Sequence, residues 1–236
     1  MVNRVVYVLV CAVLLGVAPA LGADKPGTAT DTAEQAVAKL AEEGRQVFER
    51  FVDSIQRFEA KFEQVRFDEN NRVVLTERGM LSIARPKQFR WEVSAPNELI
   101  VIADGVHVWN YEVDLDTVSV YDQSDSLGNT PADILSGNRE ALDAFDYAGA
   151  FRQQQIIWVQ FQAKESDSDF QALRLGFDAE ELVGMQLADR LGARTIVTFS
   201  DVDMDPEFAP DLFEFTPPEG VEVNGQLSSV VLSEDG

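Results

Sequence analysis

From residue 58 onward the chain consists of short segments in which apolar and polar residues alternate, and this pattern constrains the fold more than any other feature. The segments are rich in Val, Ile, Phe and Trp, which are favoured in strands. Turn signals such as Asp104-Gly105 separate them. The pattern predicts about eleven strands, at 58–67, 72–84, 88–94, 98–103, 106–113, 117–122, 154–163, 170–178, 181–189, 193–202 and 212–216. Because no helix alternates with these strands, an antiparallel meander is the simplest topology.

A long amphipathic helix is predicted before the strands, from about residue 33 to 57. Thr32 to Gln35 has the spacing of a capping box. Gly44 lies in the helix interior and costs about 1 kcal/mol relative to Ala, so this helix needs packing against the sheet. One or two further short helices are predicted between Leu127 and Ala144.

The N-terminus is predicted to be a secretory signal peptide spanning residues 1–23. Arg4 precedes an apolar run, from Val5 to Ala18, that is too short to span a bilayer as a helix. An uncleaved anchor is the alternative. Residues 24–32 have no periodicity and are predicted to be a mobile segment, and residues 33–236 are predicted to form one domain.

Composition excludes several functions. The 41 acidic residues outnumber the 19 basic ones, which gives a formal net charge of -22 and no basic footprint for nucleic acid. One histidine and one cysteine cannot form a zinc site of the usual nitrogen and sulfur ligands, and no disulfide can form. The sequence therefore predicts neither a metal nor another cofactor.

The sequence contains no recognisable catalytic motif, so we do not expect an enzyme. The segment 201–207 alternates carboxylates in the manner of a calcium loop, but Pro206 and Leu212 occupy the positions where such a loop needs Gly and Glu. A solvated strand end is the favoured interpretation. His107 is predicted to be a surface or edge residue. An exported hydrolase with a hydrophobic cleft remains a disfavoured alternative.

Large aromatic side chains concentrate in the predicted strands: Phe62, Phe89, Trp91, Trp109, Trp158 and Phe161. They could form an ordinary sheet core under the long helix. They could also line an apolar cavity in a curved sheet. Residue types alone do not separate these two arrangements.

Four segments carry a resemblance to a known family. They are Arg85-Pro86-Lys87-Gln88-Phe89-Arg90-Trp91, the segment from Ala103 to Tyr111, Asn129-Thr130-Pro131, and Phe213 to Val221 with its double proline. Their order and spacing resemble the periplasmic outer-membrane lipoprotein carrier family, LolA, from about Val52 to Val223. A departure is Asp205, where many relatives carry Asn.

The resemblance implies a mainly β fold with a helical lid: an unclosed antiparallel β-barrel of about eleven strands covering an apolar cavity. Phe89 and Trp91 share one face of a strand, which together with the resemblance predicts a lipid-binding lining. The predicted lining consists of Phe62, Leu81, Phe89, Trp91, Trp109 and Phe161, with Ile134 and Leu135 on the lid side. Arg85 is expected to act as a lid latch, because the arginine of this motif bonds to the lid in the family.

The implied function is that of a periplasmic carrier without enzymatic activity. It would bind the acyl chains of lipoproteins released from the inner membrane by an ABC transporter and deliver them to an outer-membrane lipoprotein receptor. The expected oligomeric state is a monomer. The alternative is a half-barrel periplasmic protein that senses or binds lipid without shuttling.

Overall fold

The computed structural model describes residues 28–123, 135–136, 144–164 and 170–225. One α-helix, α1, spans Thr28–Ser54, and a short 3-10 helix spans Val113–Leu115. The remaining elements are twelve strands: β1 (Arg57–Phe67), β2 (Val73–Ala84), β3 (Gln88–Ala95), β4 (Leu99–Asp104), β5 (His107–Glu112), β6 (Thr117–Asp122), β7 (Phe145–Gln153), β8 (Ile156–Ala163), β9 (Phe170–Asp178), β10 (Glu181–Asp189), β11 (Arg194–Asp203) and β12 (Glu222–Gly225).

All twelve strands form one sheet, in the order β12-β6-β5-β4-β3-β2-β1-β11-β10-β9-β8-β7. Every neighbouring pair is antiparallel except β12 with β6, which is parallel. The two end strands of the described sheet, β12 and β7, do not pair with each other, so the sheet does not close. The predicted mainly β, unclosed antiparallel fold is confirmed, with twelve strands.

The helix covers the concave face of this curved sheet. Its second half packs against β7 and β8, and Val47 and Phe51 are buried there. The first half, up to Lys39, is exposed where side chains are described, from Thr32 onward. A Cβ on Gly44 would overlap the Cβ of Ala150 in β7, so glycine is what allows the helix to approach the sheet this closely.

Several predicted boundaries differ from the structure. The helix begins at Thr28 and ends at Ser54, so it includes residues 28–32 that the sequence assigned to a mobile segment. The strand predicted at 212–216 is wrong, because this stretch consists of turns and irregular backbone ahead of Pro217. The predicted strands include neither β7, which lies entirely before residue 154, nor β12.

Other predictions fall outside the described residues. These are the signal peptide at 1–23, Ile134 and most of the lid segment around Thr130-Pro131. In the part of the chain that the structure describes, no helix is long and apolar enough to cross a membrane.

Candidate functional site: an apolar cavity and a latched helix

Four of the predicted lining residues share the concave face of β1, β2 and β3. Phe62, Leu81, Phe89 and Trp91 are all buried, and the rings of Phe62 and Trp91 stack with centroids 3.9 Å apart. The strand register explains this arrangement, because Leu81 is paired with Trp91 and Ile83 with Phe89, so that all of them point to one side. The same-face spacing read from the sequence is therefore correct for β3.

A cavity of about 570 Å³ opens at one end of this concave face. Its apolar lining includes Phe89, Trp91, Leu99, Val101, Phe170 and Leu187. Its polar lining includes Gln64, Arg66, Glu77, Asn110, Asp189 and Thr195. The cavity thus combines an apolar wall with a few polar groups, as ligand sites commonly do.

Two of the predicted residues, Phe89 and Trp91, line this cavity. Phe62, Leu81 and Phe161 lie deeper, in the core that the helix covers. Phe161 packs against Phe48 of α1, with ring centroids 4.6 Å apart. With the helix in this position, most of the concave face is filled with helix side chains.

Leu135 is one of the few residues of the predicted lid segment that the structure describes. It is 1% exposed and belongs to the same core cluster as Trp91 and Phe51. Its backbone oxygen accepts hydrogen bonds from Arg85, at 3.1 Å from Nη2 and 3.4 Å from Nε.

Arg85 joins this lid segment to the end of α1. Its Nη1 donates to the carbonyl oxygens of Phe51, Val52 and Ile55, at 3.3, 2.8 and 3.3 Å. Phe51 and Val52 lie in the last turn of the helix, where carbonyls lack intrahelical partners. Burial lowers the pKa of Arg85 to about 10, so the guanidinium remains charged at neutral pH.

The structure places Trp109 on the opposite face of the sheet from Trp91. Trp109 is paired with Ile102, whereas Trp91 is paired with Val101, so the two indoles point to different sides. The Trp109 ring packs on Phe215, with centroids 5.6 Å apart. Its predicted place in the cavity lining is therefore wrong, because the C-terminal segment forms a second apolar layer on the convex face.

This second layer contains buried residues that lie outside the main core: Ile102, Val118, Val120 and Phe213. The carboxylate of Asp104 accepts hydrogen bonds from the Trp109 indole at 3.0 Å and from the amides of Val106 and His107 at 2.8 and 2.7 Å. Burial raises the pKa of Asp104, but these hydrogen bonds outweigh burial, and the net pKa lies below 3.8.

His107 is less exposed than the surface or edge position that the sequence predicted. Its side chain is 13% exposed, and Nδ1 lies 3.5 Å from the Asp104 carboxylate. The tight turn at Gly105, where φ is +102°, brings the start of β5 back over Asp104. Sequence alone does not show this contact.

The acidic strand end at 201–207 is accounted for by ion pairs. Asp201 lies 2.7 Å from Lys61, and Asp205 lies 2.5 Å from Arg57. Among the described residues, no cluster of three or more potential metal-ligating side chains occurs. The exposure of the Asp201 and Asp205 carboxylates, 69% and 78%, agrees with the interpretation of a solvated strand end.

The sequence missed several cavity residues, above all Leu99, Val101, Asn110 and Leu187. A strand register predicted from the two hairpin turns could have identified Val101 and Asn110. These residues lie in one row with Trp91 across β3, β4 and β5. Leu187 comes from β10, on the far side of the curved sheet, and no local pattern links it to that row.

Comparisons with known proteins identify relatives that are similar in sequence over most of this chain. An "Outer-membrane lipoprotein carrier protein" of Nitrosomonas europaea is 34% identical over 73% of this chain and 84% of its own length. Proteins of the same name from Dechloromonas aromatica and Legionella pneumophila (strain Lens) are 32% and 35% identical, over 75% of this chain in both cases and over 85% and 88% of their own lengths.

The crystal structure of a LolA superfamily protein from Nitrosomonas europaea aligns with a TM-score of 0.43 and 9% identity, over 73% of this chain and 96% of that one. The sequence profile of the family described as "Outer membrane lipoprotein carrier protein LolA" matches residues 53–216, which include the cavity, Arg85 and the end of α1. The chain therefore belongs to the outer-membrane lipoprotein carrier family, LolA.

Proposed function

We propose that this protein carries the acyl chains of lipoproteins through the periplasm, from an ABC transporter in the inner membrane to a receptor lipoprotein at the outer membrane. The observation that carries the proposal is the apolar cavity lined by Phe89 and Trp91. It lies on the concave face whose core is covered by the helix that Arg85 holds. The names of the relatives support a carrier over the non-shuttling lipid-binding protein that the sequence left open. The protein binds its cargo without changing it chemically, and it works as a monomer.

The physical need for such a carrier is large. Three acyl chains of about sixteen carbons contain roughly 48 methylenes, and leaving them in water costs on the order of 38 kcal/mol at about 0.8 kcal/mol each. Unassisted transfer through water is therefore very slow. A carrier must supply an apolar surface of matching size and must then release the chains.

The cavity in this structure matches a single small ligand better than three chains. Its volume of about 570 Å³ lies within the range of about 300–1,000 Å³ that is usual for drug-sized ligands. Further apolar surface is covered by α1, where Phe48 packs on Phe161 and Phe51 packs on Phe177. We therefore propose that lipoprotein binding displaces the second half of α1 and that Phe62, Leu81 and Phe161 then contact the acyl chains.

Arg85 holds the helix in the closed position through uncharged carbonyl oxygens rather than through a buried carboxylate. Bonds of this kind can be exchanged for water when the helix moves, because no buried opposite charge is left behind. The same arginine holds Leu135, so the two covering segments are released together. Ile134, next to Leu135, is proposed to contact cargo from the same side.

The test is binding of an apolar fluorescent probe, followed by its displacement with a purified acylated lipoprotein. Trp91→Glu places a charge in the cavity wall and is expected to weaken probe binding at least tenfold. Trp158→Glu is the matched control, because Trp158 lies on the convex face, where its ring covers Gly176. Both variants are checked by thermal unfolding. Equal probe binding by folded wild type and Trp91→Glu would overturn the cavity assignment.

A further inference from the structure

A β-bulge in β7 turns two of its side chains toward α1. The register of β7 against β8 shifts by one residue between Tyr147 and Gly149. In a regular strand, residues 147 and 150 would point to opposite faces, because successive side chains alternate. The bulge removes this alternation, so both side chains meet the helix: Ala150 lies against Gly44, and Tyr147 bonds to Ala41.

Tyr147 joins the middle of α1 to the sheet through three contacts. Its hydroxyl donates a hydrogen bond to the carbonyl oxygen of Ala41, in the interior of the helix. The guanidinium of Arg45, one turn further along α1, lies over the Tyr147 ring at 4.2 Å from its centroid, which is a cation–π contact. The ring also packs edge-on against Phe161 of β8, with centroids 5.9 Å apart.

This contact lies far from the point about which the helix can turn. After Ser54 only two residues connect α1 to β1, and the backbone amide of Arg85 donates to the carbonyl oxygen of Gln56 there, at 2.8 Å. A helix that leaves the sheet must therefore pivot close to Ser54. Ala41 lies roughly 20 Å away along the axis, at about 1.5 Å per residue. Even a small rotation about the pivot thus separates Ala41 from Tyr147.

The neighbouring ion pair between α1 and β7 holds the helix less firmly. Arg152 Nη2 lies 2.7 Å from the Glu43 carboxylate, but the two side chains are 42% and 45% exposed. Water replaces such a pair readily when it opens. The Tyr147 hydrogen bond is partly buried, so its loss costs more.

We propose that Tyr147 is a positioning residue that keeps α1 closed and thereby lowers the affinity for cargo that displaces the helix. This inference rests on the proposed function, in which lipoprotein binding moves the second half of α1. Apparent affinity falls in proportion to the fraction of molecules in the binding-competent state, and each contact of the closed state reduces that fraction. Arg85 holds the helix near its pivot, whereas Tyr147 holds the part that travels furthest from the sheet.

Tyr147→Phe tests the proposal, because it removes the hydroxyl and keeps the ring. Two ligands are compared on the purified protein: a synthetic tripalmitoylated lipopeptide, which needs the helix displaced, and 1-N-phenylnaphthylamine, which is small enough for the cavity of about 570 Å³. The variant is expected to bind the lipopeptide about two- to tenfold more tightly than wild type, the range for one hydrogen bond lost from the closed state. Binding of the small probe is expected to stay unchanged.

Tyr111→Phe is the matched control. It removes the hydroxyl of a tyrosine whose ring packs on Phe215, away from α1, and is expected to leave the affinity for both ligands unchanged. Amide hydrogen exchange at residues 41–47 is the second measurement, and it should accelerate only in Tyr147→Phe. Arg45→Met removes the cation over the ring and is expected to raise lipopeptide affinity by about twofold, which keeps the proposal testable if Tyr147→Phe does not fold.

The outcomes separate this inference from the proposed function. A merely structural role for Tyr147 would lower the stability of the variant without raising its affinity, so a lipopeptide affinity equal to or below that of wild type would overturn the proposal. If wild type does not bind the lipopeptide at all, the acyl-chain function itself fails. Unchanged hydrogen exchange in α1 of Tyr147→Phe would overturn the role of Tyr147 whether or not the lipopeptide binds.

Discussion

Nη1 of Arg85 donates a 2.8 Å hydrogen bond to the carbonyl oxygen of Val52, and this contact fixes the C-terminal turn of α1 to the end of β2. The helix has no basic residue in its last turn, so the cation that meets these carbonyls comes from the loop after β2. A cation at this end of a helix also interacts favourably with the helix dipole.

Arg85→Leu is expected to lower the free energy of unfolding by about 1–3 kcal/mol, because it leaves partly buried carbonyl oxygens without donors. Hydrogen exchange at the last turn of α1 should accelerate more than exchange in β9. Arg85→Lys is expected to rescue little, since one ammonium cannot reproduce the planar fork. Chemical denaturation and hydrogen exchange on the same preparations provide the measurement.

The control is Arg78→Leu, which removes an exposed arginine that pairs with Glu63 at 2.7 Å. Exposed pairs contribute about 0–1 kcal/mol, so this variant should stay close to wild type. An Arg85→Leu protein as stable as Arg78→Leu, with unchanged exchange in α1, would contradict the latch.

Gly44→Ala is expected to destabilise the protein although alanine favours helix formation by about 1 kcal/mol. The new methyl would overlap the Cβ of Ala150, so α1 would have to move away from β7. Ala150→Gly in the same chain removes the opposing methyl and should restore part of the loss. Thermal unfolding of the two single variants and the double variant measures this coupling. Additive effects would show that helix and strand do not meet at this point.

The lowered pKa of Asp104 makes the free energy of unfolding depend on pH. Its folded-state pKa is below the ordinary 3.8, so its contribution is fully present above that value and is lost as the pH falls through the folded-state pKa. The stability difference between wild type and Asp104→Asn is therefore expected to shrink between about pH 5 and about pH 3. Denaturant unfolding of both proteins at the two pH values measures this difference. A difference that stays constant would mean that Asp104 has an ordinary pKa.

Trp91 should report directly on cargo. A fatty acid with bromine on its chain is expected to quench the fluorescence of Trp91, which lines the cavity, far more than that of the two tryptophans on the convex face. Replacing Trp91 by Phe should remove most of the quenching, while Trp158→Phe should retain it. Quenching that survives in Trp91→Phe would place the lipid elsewhere.

The sequence predicts the strand-rich half of the chain well where alternation is strict. Phe89 and Trp91 are such a case. The charged Arg90 between them indicates which face of β3 points away from the core. In β7 the alternation fails, since a bulge between Tyr147 and Gly149 shifts the register. The pattern there is typical of neither strand nor helix, and the whole of β7 was missed.

Trp109 shows that alternation alone does not determine which face of a strand points to the cavity. Val108 and Trp109 are both apolar, so either face of β5 could be the inner one. The choice depends on Phe215, which lies far along the chain and covers the convex face. The cavity depends on similar long-range placements, such as Leu187 opposite Val101, and only the curvature of the whole sheet determines them.

An unclosed sheet leaves two strand edges that could recruit another chain. At one end β12, only four residues long, pairs in parallel with β6, and at the other β7 is bent by its bulge. Short and irregular edges resist edge-to-edge polymerisation. These edges are therefore expected to keep a protein that carries apolar cargo from forming fibres through its own backbone. Truncation of the chain before Glu222 is expected to remove the protection at β6 and to cause concentration-dependent aggregation.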